Sequence, residues 1–134
     1  MGPAHTAEDL AIWLPQRRVL VAGDFEFRDR IPFVGQADSG RWLDALDRRL
    51  AYDVGVITPR LGPAMHSSRA DVQLTRDYLA FLRKRMGKAA CLLEPVEEAY
   101  ARTDWSRFAH LPLFALANRM NAFNTHLLME RNPP

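Results

Sequence analysis

Near the start of this chain stand two residues whose types and placement could hold a metal. His5 sits in a turn behind Gly2 and Pro3, and Asp24 follows the aliphatic run Val19-Leu20-Val21-Ala22 and Gly23. Imidazole and carboxylate are both zinc ligands. A carboxylate just past a strand lies where a sheet edge presents its ligands, and it can bridge two cations. Taken singly, either residue also reads as plain loop polarity. A catalytic zinc generally needs three protein ligands, so the other histidines matter. His66 lies in a later loop and is a candidate substitute ligand, though a histidine in such a loop more often faces solvent or caps the helix that follows. His110, ahead of Leu111-Pro112, and His126, near the end of the chain, fit surface or structurally satisfied histidines better.

Other chemistries lack their residues. The chain has no Gly-x-Ser-x-Gly elbow, no Walker loop, no Gly-x-Gly-x-x-Gly and no Cys-x-x-Cys. Its single cysteine, Cys91, is flanked by Ala89-Ala90 and Leu92-Leu93, surroundings that point to an inert buried thiol. Arg83-Lys84-Arg85 with Lys88 is the densest basic cluster. It suits a helix C-terminus, where cations meet the macrodipole. Without interleaved aromatics it argues against a nucleic-acid partner.

These residues need elements to position them, and the pattern reads as strand, strand, helix, strand, then helices. Leu10, Ile12 and Leu14 alternate with Ala11 and Trp13, as in a strand. Pro15-Gln16-Arg17 is a turn. The unbroken run Val19 to Ala22 predicts a strand buried on both faces. From Asp38 or Ser39, a capping residue opens a helix to about Tyr52, with Trp42, Leu43, Leu46 and Leu50 as its inner stripe. Val54 to Ile57 is the third strand, stopped by Pro59. Ser68-Arg69-Ala70-Asp71 is a capping box. It opens a long helix with Leu74, Tyr78, Leu79, Leu82 and Met86 on one side, which Gly87 weakens or ends unless the apolar stretch from Ala89 to Leu93 continues it. Pro95 opens a short helix to about Ala101, and Pro112 a last one to about Glu130. Phe25, Phe27 and Phe33 flank Asp24 and are expected to pack in the core rather than wall a pocket.

With 134 residues the chain is one domain, residues 1–134, and its 48% apolar content is ample for a core. The net charge of +2 is spread along the chain, so no strong polyanion partner is implied. A lone cysteine gives no internal disulfide. The N-terminus shows no signal-peptide pattern, and no apolar run is long enough to span a membrane. The expectation is a cytoplasmic protein as encoded, with no membrane partner.

Gly2-Pro3-Ala4-His5-Thr6-Ala7-Glu8-Asp9, followed by a strand ending in Ala22-Gly23-Asp24, resembles the second half of a metallo-β-lactamase-fold hydrolase. Further on, Asp24-Phe25-Glu26-Phe27 and Arg30-Ile31-Pro32-Phe33 look like that family's next loop. Val56-Ile57-Thr58-Pro59-Arg60-Leu61-Gly62-Pro63 looks like its strand and Pro-Gly-His-Gly-Pro loop. There Arg60 stands where glycine is usual, and Leu61 where the last zinc histidine should be. The segment Tyr100 to Trp105 and the asparagines from Asn118 to Asn124 are similar to the quinoprotein-relay or SoxH-like zinc metallohydrolases. The family's His-x-His-x-Asp-His signature does not occur in the chain.

The resemblance implies an α/β fold equivalent to half of an αββα sandwich, a small sheet covered by helices. It implies that His5 and Asp24 are metal ligands and catalytic, and that Thr6 and Asp9 hydrogen-bond the turn that orients His5. The turn aspartate can also simply bond nearby amides. The implied cofactor is zinc, with manganese as an alternative. The expected function is a truncated or degenerate hydrolase of a small-molecule ester, lactam, thioester or phosphoester. The competing expectation is a non-catalytic half-domain that self-associates or pairs with a separate N-terminal half. Because one half of such a sandwich would expose an apolar sheet face, a homodimer is expected.

Overall fold

The computed structural model describes residues 10–23, 27–59, 63–67 and 69–133. Its elements, in chain order, are β1 (Ile12–Leu14), a short 3-10 turn (Pro15–Arg17), β2 (Val19–Val21), α1 (Ser39–Leu50), β3 (Val56–Thr58), β4 (Met65–His66), α2 (Arg69–Cys91), α3 (Val96–Arg102) and α4 (Phe114–Arg131). Among the described residues the strands form one sheet in the order β1-β2-β3-β4. β1 and β2 are an antiparallel hairpin, β2 and β3 run parallel across α1, and β3 and β4 are antiparallel.

Arg18 holds the turn between the first two strands. It adopts a left-handed φ of 52° and donates its N–H back to Pro15 O. Its carbonyl accepts from Gly55 and Val56 N–H, and its guanidinium reaches the Asp53 carboxylate at 2.7 Å. The hairpin turn is thereby tied to the entry of β3.

The register sorts the sheet into rows. Trp13, Leu20, Ile57 and Met65 lie opposite one another, as do Ile12, Val21 and Thr58, and Leu14, Val19, Val56 and His66. Side chains alternate between faces along a strand, so the first row points one way and the other two point the opposite way. Leu20 and Ile57 are buried in the same core as Trp42, Leu46, Val72 and Leu79 of α1 and α2. Val21 is 40% exposed and Ile12 51%. The expected burial of Val19 to Ala22 on both faces is therefore corrected: the described helices cover one face only.

α1 begins where the sequence places it. The Asp38 carboxylate caps it by accepting from the Gly40 and Arg41 N–H groups. Its fully covered side chains include Trp42, Leu46 and Arg49, whose guanidinium meets Ser67 Oγ. α2 runs unbroken through Gly87. A Cβ there would lie 2.8 Å from Met129 Cε of α4, so this glycine serves close helix contact rather than termination. Ser68, the expected cap of α2, lies outside the described residues. Cys91 is exposed, not buried. It occupies the last position of α2, and Leu92 and Leu93 beyond it are exposed as well, so its apolar neighbours in sequence do not enclose it. None of the described helices is long and apolar enough to cross a membrane.

α4 packs on α2 and α3 through a polar inner face. Tyr78 Oη donates to Asn118 Oδ1 at 2.8 Å, and Asn121 Nδ2 donates to Tyr78 Oη at 2.9 Å and to Pro32 O at 2.7 Å. The Val34 N–H donates to Asn121 Oδ1 at 2.8 Å, and Asn118 Nδ2 to Tyr100 Oη at 3.2 Å. Burial pushes the Tyr78 phenol well above its ordinary range, so it serves as a neutral donor and acceptor.

Candidate functional site

The register brings three separate parts of the chain to one edge of the sheet. Ile12, Val21 and Thr58 form its last row there, and Ala22 N–H continues the pairing by donating to Thr58 O at 2.9 Å. β2 and β3 are parallel, so both carboxyl ends point this way, the end of an α/β sheet that commonly carries binding loops. β1 is antiparallel to β2, which puts its amino end on the same side. The described residues leading from or into the segments 1–9, 24–26 and 60–62 are Leu10-Ala11, Ala22-Gly23 and Pro59, and all belong to this edge. His5, Thr6, Asp9 and Asp24, together with Arg60 and Leu61, lie in those segments, outside the described residues.

The stretch that follows 24–26 is anchored by α1, α2 and α4. Phe27 packs on Trp42 of α1, with ring centroids 5.8 Å apart, and Arg30 lies over the Phe27 ring at 5.1 Å. Thr75 Oγ1 of α2 donates to Phe27 O at 3.4 Å. The Asp71 carboxylate, also of α2, accepts from Asp29 N–H at 3.3 Å and pairs with Arg28 Nε at 3.4 Å. Those contacts hold Asp29 at a left-handed φ of 48°, a conformation a non-glycine residue keeps only with support. Farther along, Asn121 of α4 clamps Pro32 and Val34.

Asp71 was legible in the sequence only as a capping-box residue, and Asn121 only as one of several asparagines. Their structural role is to pin the backbone that continues from Asp24. Of the three phenylalanines around Asp24, Phe27 joins the core as expected and Phe33 is exposed; Phe25 is outside the described residues.

His66 is exposed on the outward face of β4, in the row with Leu14, Val19 and Val56. That row is two residues back from the edge, or about 7 Å at a strand's rise. His110 is exposed. His126 is buried against the α2–α3 connection, with Nε2 3.0 Å from Glu94 O and Nδ1 3.4 Å from Glu130. Among the described residues no three His, Cys, Asp or Glu side chains come together as a metal-binding group. In the basic cluster, Arg83 donates to Ser39 Oγ at 3.1 Å, while Arg85 stacks on Phe81 at 5.2 Å. These two cations thus serve packing contacts on separate elements.

Comparison with known proteins gives a consistent picture of the fold. A family model for the metallo-beta-lactamase superfamily matches residues 1–59. A solved structure of a metallo-beta-lactamase family protein from Thermus thermophilus superposes with a TM-score of 0.58 at 20% identity. The match covers 96% of this chain and 42% of that one, so the chain spans about two fifths of that protein's length. No curated protein matches the chain significantly. The chain is a mixed α/β unit, with a four-stranded sheet and four helices among the described residues, that matches part of a metallo-β-lactamase fold.

Proposed function

We propose that this chain, with the fold of part of a metallo-β-lactamase protein, forms the portion of a metal-dependent hydrolase site that carries one imidazole and one carboxylate ligand. The observation that carries the reading is the common edge. Segments 1–9, 24–26 and 60–62 are flanked by described residues at one end of the sheet, and the family model covers the first two of them.

His5 and Asp24 are the residues that would hold zinc, or manganese, with Thr6 and Asp9 orienting His5 and His66 as a further candidate ligand. An imidazole and a carboxylate fit such a cation. Two protein ligands are fewer than the three a catalytic zinc generally takes, so the set is short. A zinc held there would polarise a small-molecule ester, lactam, thioester or phosphoester and activate water for attack. The chain's own contribution is positional: Asp71, Thr75 and Asn121 fix the backbone leaving Asp24, and Trp42 seats Phe27 beside it.

The outward sheet face bears on what completes the site. Ile12, Leu14 and Val21 are exposed on it, and an apolar sheet face is normally covered by a second layer. We assign that layer to the sheet of an N-terminal half, on the same or a separate chain. A second copy of this chain is the competing occupant. Leu61, standing where the family's loop has histidine, favours the alternative of a non-catalytic half-domain.

Metal content after purification without added metal, followed by zinc calorimetry, separates the readings. A surviving site should bind zinc, and His5→Ala or Asp24→Ala should weaken binding by roughly tenfold or more, on the order of what losing even a supporting contact does. Equal lack of response in wild type and in the double variant would remove the metal reading. Leu61→His provides an independent check. It should raise zinc affinity if the loop keeps the family geometry. Loss of about 1–3 kcal/mol of stability without gain in affinity would instead identify Leu61 as core.

A further inference from the structure

α4 does not sort its residues in the usual way, burying several polar side chains and leaving apolar ones exposed. A surface helix turns its apolar stripe inward and its polar residues to water. In α4 the buried side includes Asn118, Asn121, Thr125 and His126, while Leu116, Met120 and Phe123 are 83%, 52% and 41% exposed. Leu113 precedes these three and is exposed, and Leu127 follows and is half-buried. The spacing from 113 to 127 runs three, four, three, four, the seam of a helix that meets another helix. Singly exposed apolar residues are ordinary on a surface, but a continuous stripe of them marks a contact.

The stripe is flanked by two hollows. One, of about 480 Å³, is lined by Glu97, Ala115, Leu116, Arg119, Met120 and Phe123. The other, of about 320 Å³, lies toward the C-terminal end and includes Asn124, Leu127, Leu128 and Arg131. These linings correspond under one operation. A two-fold axis between Met120 and Phe123, with a second helix running antiparallel, sets Met120 against Phe123, Arg119 against Asn124, Leu116 against Leu127 and Ala115 against Leu128. Three residues of the first hollow, Ala115, Leu116 and Arg119, then face three of the second, Leu128, Leu127 and Asn124, a reciprocal pairing of the isologous kind.

The charges agree. The first turn of α3, beside the first hollow, carries Glu97 and Glu98. Glu97 is taken by Arg119 at 2.6 Å, which leaves Glu98 as that side's unpaired acid among the described residues. Arg131, at the second hollow, has no ion partner among the described residues. Antiparallel pairing brings Arg131, at the end of one α4, toward the acidic first turn of α3 in the other copy.

We propose that this outward face of α4 is a contact between two copies of the chain, paired antiparallel about an axis between Met120 and Phe123. The contact is independent of the metal reading and of whatever covers the sheet. Its test therefore starts from Ile12→Lys/Val21→Lys, two exposed positions whose change removes association through the sheet face. By sedimentation equilibrium this variant should remain a dimer. Adding Leu116→Glu or Met120→Glu should raise the dissociation constant by roughly 30-fold or more, the effect of losing a central apolar anchor. Adding Arg131→Glu should weaken the dimer, and adding Glu98→Arg to that should restore it. Circular dichroism melts identify any variant that fails to fold, and the charge reversal then gives the reading without altering the stripe. A folded monomer in the starting variant, which would leave the face to another partner, overturns the proposal. So does a dimer indifferent to Leu116→Glu, or an Arg131→Glu loss that Glu98→Arg does not restore.

Discussion

Asn121→Ala is expected to destabilise the chain by about 3 kcal/mol, read as a lower urea midpoint at neutral pH. The truncation strands two buried groups, the Val34 N–H and the Pro32 carbonyl, and removes one donor from the Tyr78 hydroxyl, which keeps Asn118. Each unsatisfied buried group costs about 1–3 kcal/mol. Water entering the space left by the amide offsets part of that sum. Asn121→Asp adds a sign to the test. Its oxygen can still accept from Val34, but a carboxylate cannot donate to Pro32 or Tyr78. Burial raises the folded-state pKa of such an acid above its unfolded value of about 3.9. Its protonated form is the one the fold accepts, so stability should be highest below about pH 4 and fall as pH rises toward the folded pKa. A flat pH dependence relative to wild type, or an Asn121→Ala midpoint equal to wild type, would show that the amide does not clamp the loop.

Trp42→Ala should cost about 3–5 kcal/mol, the range for emptying a large aromatic site in a core. Trp42 is fully buried within a cluster that joins the sheet's inner row to α1 and α2. The effect should extend to the site edge, because Trp42 is the ring on which Phe27 packs. Losing that seat frees the backbone three residues after Asp24. Under conditions where the variant is still folded, zinc affinity should therefore fall as well. Trp42→Phe keeps a ring at the position and should recover most of both losses. If stability falls while zinc affinity stays at the wild-type value, the packing of Phe27 has no bearing on the ligand edge.

The order of elements was readable from local pattern except for β4, whose two residues the sequence reads as loop. Asp38 announces α1 because its short carboxylate satisfies the free N–H groups of a first turn. Pro95 and Pro112 stand close to the openings of the last two helices, Pro95 at the N-cap of α3 and Pro112 just ahead of the N-cap of α4, not in the first turns where the sequence places them. The resemblance to a metallo-β-lactamase half rests on motif order along the chain, and the α/β structure matches part of such a fold. Candidate ligands could be named the same way, since residue type and spacing are properties of the chain.

What neighbours do to a residue was not readable. Gly87 looks like a helix breaker until Met129 is seen to occupy the space its missing Cβ leaves. Cys91 looks buried because its chain neighbours are apolar, yet α2 ends there in solvent. Asn118 and Asn121 look like surface polarity, and only Tyr78, Tyr100 and the 32–34 backbone, distant in sequence, turn them inward. That the described residues flanking the three motif segments share one edge follows from strand register. The sequence alone thus determined the helices, the first three strands and which residues could do chemistry. The tertiary structure decided which face each element buries and which distant segments share an edge, because burial and strand pairing are set by contacts across the fold and not by neighbours along the chain.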